Sequence, residues 1–353
     1  MPQNKKINPS LNKWDPIIQT DILKLISDIH PDKTNYKNAD VVKEMIITAL
    51  KGVESDLGRG DLKLLSRSFR ELRYAFKIFK SYRNTRKVTI FGSARTKENE
   101  TSYKMTKDFA KRLVDLGYMI ITGAGPGIMQ AGNEGAGPKA SFGVNIKLPF
   151  EQHPNEFIAD QPTYIDCHYF FTRKLVFIKE ASAAAFFPGG FGTLDEAFEL
   201  LTLVQTGKSD PIPLVFVDDP KTHFWREMQA FIEKSLLKGK KISPEDLNLY
   251  KIFDTSEEAV NEIVHFYSNY HSMRYIGDNL VFRLRKPILA SDLKYINKNF
   301  SSILTDGQFT KGGPLKEEEN QPELQHFHRL IFKFNRMNNG RLRQLIDTLN
   351  KCD

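Results

Sequence analysis

The chain has few cysteines, no long apolar run and no dominant charge sign. Two cysteines, Cys167 and Cys352, in 353 residues exclude a disulfide framework and a four-cysteine zinc site. They make a reducing, cytoplasmic setting the expectation. No stretch approaches the roughly 18 consecutive apolar residues of a membrane span, so no membrane partner is expected. Residues 1–14 are polar and lack the apolar core of a secretory signal. Lys and Arg number 51 against 43 Asp and Glu, a net +8, and the two signs interleave. That excess suits a phosphate-bearing partner. The densest basic clusters, 67–73 and 283–286, fall in an ordinary helix and strand pattern. With no zinc-finger spacing and no RNP-type aromatic motif, nucleic acid is not an expected partner.

What is present is the composition of a soluble protein, 40% hydrophobic and 27% charged, long enough for about two domains. Three regions separate by pattern: 1–85, 86–270 and 271–353. In the first, a short helix is expected near 17–29 and helix again over 40–80. Leu62, Leu65, Phe69, Leu72, Phe76 and Phe79 step by three and four, one apolar stripe expected to pack on the main domain or on a second copy. Asp61 is placed to cap that helix. In the middle region, short apolar strands near 87–91, 118–122, 141–148, 183–187 and 214–217 alternate with helical segments. That alternation predicts a doubly wound, Rossmann-like parallel α/β sheet, whose ligands bind beyond the carboxyl ends of the strands. The last region predicts a small strand–helix–strand–helix α+β appendage. Its 280–284 strand alternates as if half-exposed. His326 and His328 stand two apart there, a pair that could share a metal but reads as structural or solvated, and neither a metal nor a cofactor is expected.

Three glycine-bearing turns each follow a strand: Gly92, the run Gly123-Ala124-Gly125-Pro126-Gly127, and Gly189-Gly190-Phe191-Gly192. A glycine turn between strand and helix lets backbone N–H groups and the helix dipole approach a phosphate. The Gly123–Gly127 run is neither a dinucleotide fingerprint, since Pro126 and Gly127 break the spacing, nor a P-loop, since no Gly-Lys-Ser/Thr follows. Tight strand-to-helix turns alone would also use these glycines. Several turns opening on one sheet edge point instead to a nucleotide cleft.

The run Pro188 to Glu196 is more specific. Thr193 is placed to cap the following helix or to touch a phosphate, and Glu196 to sit in its first turn, ionised by the dipole and by Arg173. A carboxylate beside an anion site suits sugar hydroxyls, or positive charge developing on a sugar ring. Upstream, Arg173 and Lys174 are adjacent on a helix and so point about 100° apart. One can face the cleft while the other meets a neighbour or a second phosphate oxygen.

These residues give the chain its resemblance. Phe91-Gly92-Ser93-Ala94, Gly123 through Met129, Arg173-Lys174 and the intact Pro-Gly-Gly-x-Gly-Thr-x-x-Glu run of 188–196 are similar to the Lonely Guy (LOG) family of nucleoside 5′-monophosphate phosphoribohydrolases, long described as lysine decarboxylases. The likeness covers about 86–270, and residues 341–347 resemble the tail of a longer bacterial branch. It implies hydrolysis of the N-glycosidic bond of a nucleoside monophosphate to free base and ribose 5-phosphate, with Glu196 and Arg173 catalytic. Gly189, Gly190, Gly192 and Thr193 would cradle the 5′-phosphate. Lys174, Ser93, Gly123, Gly125, Gly127 and, further along the helix, Thr202 would complete the binding set. Glu151 or Glu156 would approach the base. It also implies a homodimer or a multiple of it, an assembly to which Phe170, Phe171 and Phe177 would lend apolar surface. The rival reading is a nucleotide carrier or sensor of the same fold, which needs the glycines but not the Arg173/Glu196 pair.

Overall fold

The computed structural model describes residues 16–29, 38–148 and 153–351. By its contacts the chain divides into residues 1–70 and 71–353. The first unit holds α1 (Pro16–Ile29), α2 (Ala39–Glu54) and the start of α3 (Arg59–Phe79). The helix expected over 40–80 is thus two helices. Leu62 N–H donates to Gly58 C=O, so Gly58 occupies the capping place and Asp61 lies inside the first turn of α3 instead of ahead of it.

The second unit opens with the C-terminal half of α3. Its buried ridge is Glu71, Ala75 and Phe79, whereas Phe76 is exposed. The inward face is therefore turned one residue from the apolar stripe, and a carboxylate points into the protein. There follow β1 (Lys87–Phe91), α4 (Thr101–Asp115), β2 (Met119–Thr122), α5 (Ile128–Ala136), β3 (Ser141–Ile146), β4 (Tyr164–Cys167), α6 (Phe170–Glu180), β5 (Ala183–Phe186), α7 (Phe191–Gln205), β6 (Leu214–Val217), α8 (Phe224–Phe231), β7 (Lys251–Phe253) and α9 (Ser256–Phe266). The strands form one sheet in the order β4-β3-β2-β1-β5-β6-β7, and every pairing is parallel. Separate apolar cores cover its two faces. The chain starts at β1, winds outward to β4, then returns to β5 on the other side of β1. Order reverses between β1 and β5, so the ligand crevice of this doubly wound fold belongs above those two strands.

The two strands that composition did not reveal, β4 and β7, are the sheet's edges. Edge strands are short and carry polar residues: β4 includes Asp166, and β7 is three half-buried residues.

The appendage comprises β8 (Tyr270–Ile276), β9 (Asn279–Leu284), α10 (Ala290–Asn299), β10 (Thr310–Gly312), β11 (His328–Phe332) and α11 (Asn339–Leu349). Its four strands are antiparallel in the order β10-β11-β9-β8, two more than the expected pair, over a core of its own. β9 is buried on both faces, not half-exposed, because Glu318 covers Arg283 and Arg329. The Tyr267 hydroxyl donates to Ser182 C=O at 2.6 Å, and Arg343 pairs with Glu262. These contacts fix the appendage to the parallel sheet. Among the described residues no helix is long and apolar enough to cross a membrane.

Candidate functional site

A cavity of about 730 Å³ opens above β1 and β5, at the switch point the topology defines. Its walls come from the turn after β1 (Gly92, Ser93, Ala94, Arg95), from Gly123, from Phe170 and Arg173 of α6, and from Gly189 through Glu196. The turns are bonded to one another. Ser93 N–H donates to Pro188 C=O at 3.1 Å and Ile128 N–H to Ser93 C=O at 3.0 Å. Gly127 has φ +68, and a side chain there would overlap the Ser93 carbonyl. Gly127 therefore shapes the turn, and neither it nor Gly125 lines the cavity.

A buried polar network holds that turn from behind. The Asn155 carboxamide donates to Ala124 C=O at 3.1 Å and to Gly125 C=O at 3.0 Å, and Thr122 Oγ1 donates to Asn133 Oδ1 at 2.7 Å. Ala124, itself at φ +61, is fully buried. The base-contact candidate Glu156 is exposed and off the cavity, whereas its neighbour Asn155 carries the structure. Glu151 lies outside the described residues.

The remaining glycines divide by what surrounds them. At Gly123 a Cβ would overlap the Arg173 guanidinium and lie 2.6 Å from Met129 Sδ, so this glycine makes room for the arginine. At Gly189 it would overlap the Thr193 hydroxyl. Among the described residues, a Cβ added at Gly190 or Gly192 would meet nothing within 4 Å beyond the adjoining backbone. Gly190 is the N-cap of α7, and the first helical turn leaves N–H groups with no intrahelical acceptor. Thr193 is thus the third residue of α7 and not its cap, and Glu196 is in the second turn, because the helix starts two residues earlier than expected. Thr193 and Ser93 both line the cavity. Thr202 does not: its exposed hydroxyl donates back to Phe198 C=O at 2.7 Å.

Arg173 Nε donates to Val144 C=O at 2.8 Å, within β3, and its guanidinium lies 5.1 Å from the Phe177 ring. Lys174 turns the other way, off the cavity lining. Its Nζ meets Glu199 at 2.6 Å, Asp195 at 2.9 Å and Glu196 at 3.5 Å. Burial alone would lower its pKa, but the hydrogen bonds it donates to Glu199 and Asp195 raise it. Glu196 is buried, and among the described residues its only ion-pair contact is that 3.5 Å approach. Burial pushes its carboxyl above the ordinary 4.5; Lys174 and Arg173 pull it back, and Glu199 and Asp195 oppose them. The expectation that its surroundings favour the charged form is corrected: desolvation outweighs Arg173.

The sequence also hid the anchor of α6. Glu71 of α3 accepts from His168 N–H at 3.0 Å and from Thr172 Oγ1 at 2.6 Å, pinning the helix start beside Arg173 and Lys174. Phe170 and Phe171 are exposed, but Phe177 is fully buried, its ring centroid 5.0 Å from that of Phe91.

Fold and site together define a doubly wound α/β protein with glycine turns and a buried carboxylate at its switch point. Residues 125–263 match a family model described as "Possible lysine decarboxylase". The chain is 32% identical over 149 residues to a "Probable cytokinin riboside 5'-monophosphate phosphoribohydrolase LOG6" of Arabidopsis thaliana, an alignment covering 40% of this chain and 70% of the relative. It is 28% identical over 187 residues to a "Probable cytokinin riboside 5'-monophosphate phosphoribohydrolase LOGL3" of Oryza sativa subsp. japonica, covering 51% and 84%. Among solved structures, the molybdenum cofactor carrier protein of Chlamydomonas reinhardtii aligns with a TM-score of 0.36 at 19% identity, over 50% of this chain and 94% of the carrier. The chain belongs to the LOG family. A pyridoxal-dependent decarboxylase needs a lysine for its Schiff base. Among the described residues no lysine lines this cavity, and Lys174 Nζ is held by three carboxylates, so these residues do not fit that cofactor.

Proposed function

We propose that the chain hydrolyses the N-glycosidic bond of nucleoside 5′-monophosphates, releasing free base and ribose 5-phosphate. One observation carries this reading: a phosphate-type turn with open space at Gly190 and Gly192 shares a cavity with the buried, weakly paired carboxylate of Glu196. The 5′-phosphate sits on the first turn of α7, with Thr193 and Ser93 beside it. That contact places the ribose over Glu196. Bond cleavage builds oxocarbenium-like charge on the sugar, which the carboxylate stabilises while water attacks. Arg173, fixed by Val144 and given room by Gly123, holds the departing base side of the substrate. Lys174 acts through Glu196, holding its carboxylate in place and favouring its charged form. The acting form is a homodimer or a multiple of it. Exposed Phe170, Phe171 and Phe191, the last 94% exposed, supply its apolar surface.

The test is incubation with AMP, GMP, CMP, UMP and a cytokinin riboside 5′-monophosphate, with free base read by chromatography. Base release from at least one, and far slower release from the matching nucleoside, is expected. Tight nucleotide binding without release would favour the carrier reading, and equal rates for AMP and adenosine would remove the phosphate role. Light scattering that returns the mass of a single chain at micromolar concentration would exclude the dimer.

A further inference from the structure

A second cavity, of about 430 Å³, lies where the chain enters β1, β5 and β6, at the opposite end of the parallel sheet from the first. Its outer wall is the segment from Tyr267 to Ser272 that leads into the appendage. Among the described residues the two cavities share no lining residue. α6 connects them, with Arg173 lining the first and Lys179, about 9 Å further along the helix axis, lining the second.

The charge of this cavity is lopsided. Arg86, Lys179 and Lys208 line it against the carboxylate of Asp210, and Lys179 Nζ is itself paired with Glu180 at 2.6 Å, leaving Arg86 and Lys208 as its uncommitted cations among the described residues. The Arg86 guanidinium lies 3.5 Å over the Tyr267 ring, and its Nη2 donates to His271 C=O at 3.1 Å. It is thus held rigidly, and among the described residues it makes no ion pair. Its neighbours feel the excess. Burial and then Arg86 push the Arg285 guanidinium down. Burial, Arg86 and Arg285 push the His271 imidazole down to about 4. A stacked guanidinium flanked by ammonium groups suits phosphate oxygens. A bare phosphate would leave most of the space empty, since the volume lies within the usual range of small-molecule pockets. Tyr267, Tyr270 and Ile178 supply apolar wall, and Asp210 an acceptor for hydroxyl groups.

We propose that this cavity binds a small organic phosphate, its phosphate on Arg86, Lys179 and Lys208 and its hydroxyl groups on Asp210. The experiment is calorimetric titration of the full chain with ribose 5-phosphate, and separately with inorganic phosphate. Wild type should take up two ribose 5-phosphate per chain, one in each cavity. Lys208→Glu, on an exposed turn and remote from the first cavity, should lose one of the two and keep its nucleotide cleavage. Arg86→Gln should behave alike. Asp210→Asn should weaken ribose 5-phosphate about tenfold at this cavity and leave inorganic phosphate unchanged. If the first cavity binds no phosphate, wild type would take up one and Lys208→Glu none, which upholds this site while sinking the proposed function. Unchanged stoichiometry and affinity in both Lys208→Glu and Arg86→Gln would overturn the proposal.

Discussion

The appendage and the candidate site each bury a glutamate between two cationic side chains, and the two carboxyls shift in opposite directions. Burial alone would raise Glu318, but Arg329 and Arg283 hydrogen-bond to it and Leu315 N–H adds a third donor, holding it down at about 2. Glu196 has Lys174 at 3.5 Å and Arg173 as partners and is raised. Geometry, not the number of cations, separates them. Around Glu318 the guanidinium donors approach at 2.6–2.8 Å and use up the oxygens. Lys174 gives its short contacts to Glu199 and Asp195 instead. A carboxylate whose capacity is spent is structural, whereas one left under-satisfied in an open cavity can answer to charge on a substrate.

The sharpest way to break this contrast is to neutralise each glutamate. Glu196→Gln keeps the shape and removes the charge. Base release should fall by two to four orders of magnitude, about 3–5 kcal/mol in barrier, while nucleotide affinity measured by calorimetry changes little. Near-normal turnover would make Glu196 a structural residue like its counterpart. Glu318→Ala should do the reverse. It strands two buried guanidinium groups and costs about 3–5 kcal/mol of stability, read as a lower urea midpoint, with turnover per folded molecule retained.

Acidity extends the same test. The folded value of Glu318, about 2, lies below the ordinary 4.5. Its stabilisation is complete above about pH 4.5 and is lost as pH falls towards 2; in Glu318→Gln the urea midpoint should lose that part of its pH dependence.

A third test compares glycines. Gly189→Ala forces a methyl group onto Thr193 and within 3.0 Å of the Gly92 backbone, an overpacking cost of about 1–3 kcal/mol visible in thermal unfolding. Gly190→Ala meets no protein atom. It should unfold like wild type yet bind a nucleoside 5′-monophosphate more weakly than inorganic size alone explains, because the added methyl group takes ligand space. Equal losses of stability in both would place Gly190 with the shape-making glycines.

The smallest effect concerns Lys174. If turnover needs ionised Glu196, the rate falls as pH drops through its raised pKa. Removing a cation raises that pKa further, so Lys174→Met should move the acid limb of the rate profile upward by up to about one pH unit. An unmoved limb would detach Lys174 from Glu196.

Much of the site was legible because its chemistry is local. A strand, a glycine turn and a helix start lie within a dozen residues, so the 188–196 run and the Arg173-Lys174 pair mark the cavity by themselves. The supports were not legible. Asn155 sits in a polar stretch with no period, and its three carboxamide contacts reach residues 22 to 31 positions away. Glu71 sits in a helix whose apolar stripe suggested a different inward face, and its partners are about a hundred residues distant. The edge strands β4 and β7 and the exposed strand β10 lack the apolar continuity that revealed the inner strands.

What the sequence by itself determined is the alternation of apolar strands and helices, the glycine turns and the identity of the charged residues beside them, since periodicity and turn chemistry act over a few residues. Only the tertiary structure decided which glycines make room for protein and which face open space, which of two adjacent cations faces the cavity, and whether a buried glutamate is held down or pushed up. Those outcomes depend on distances of 2.6 to 3.5 Å between groups far apart in the chain, and charge interactions are set by such distances and by burial, not by order along the backbone.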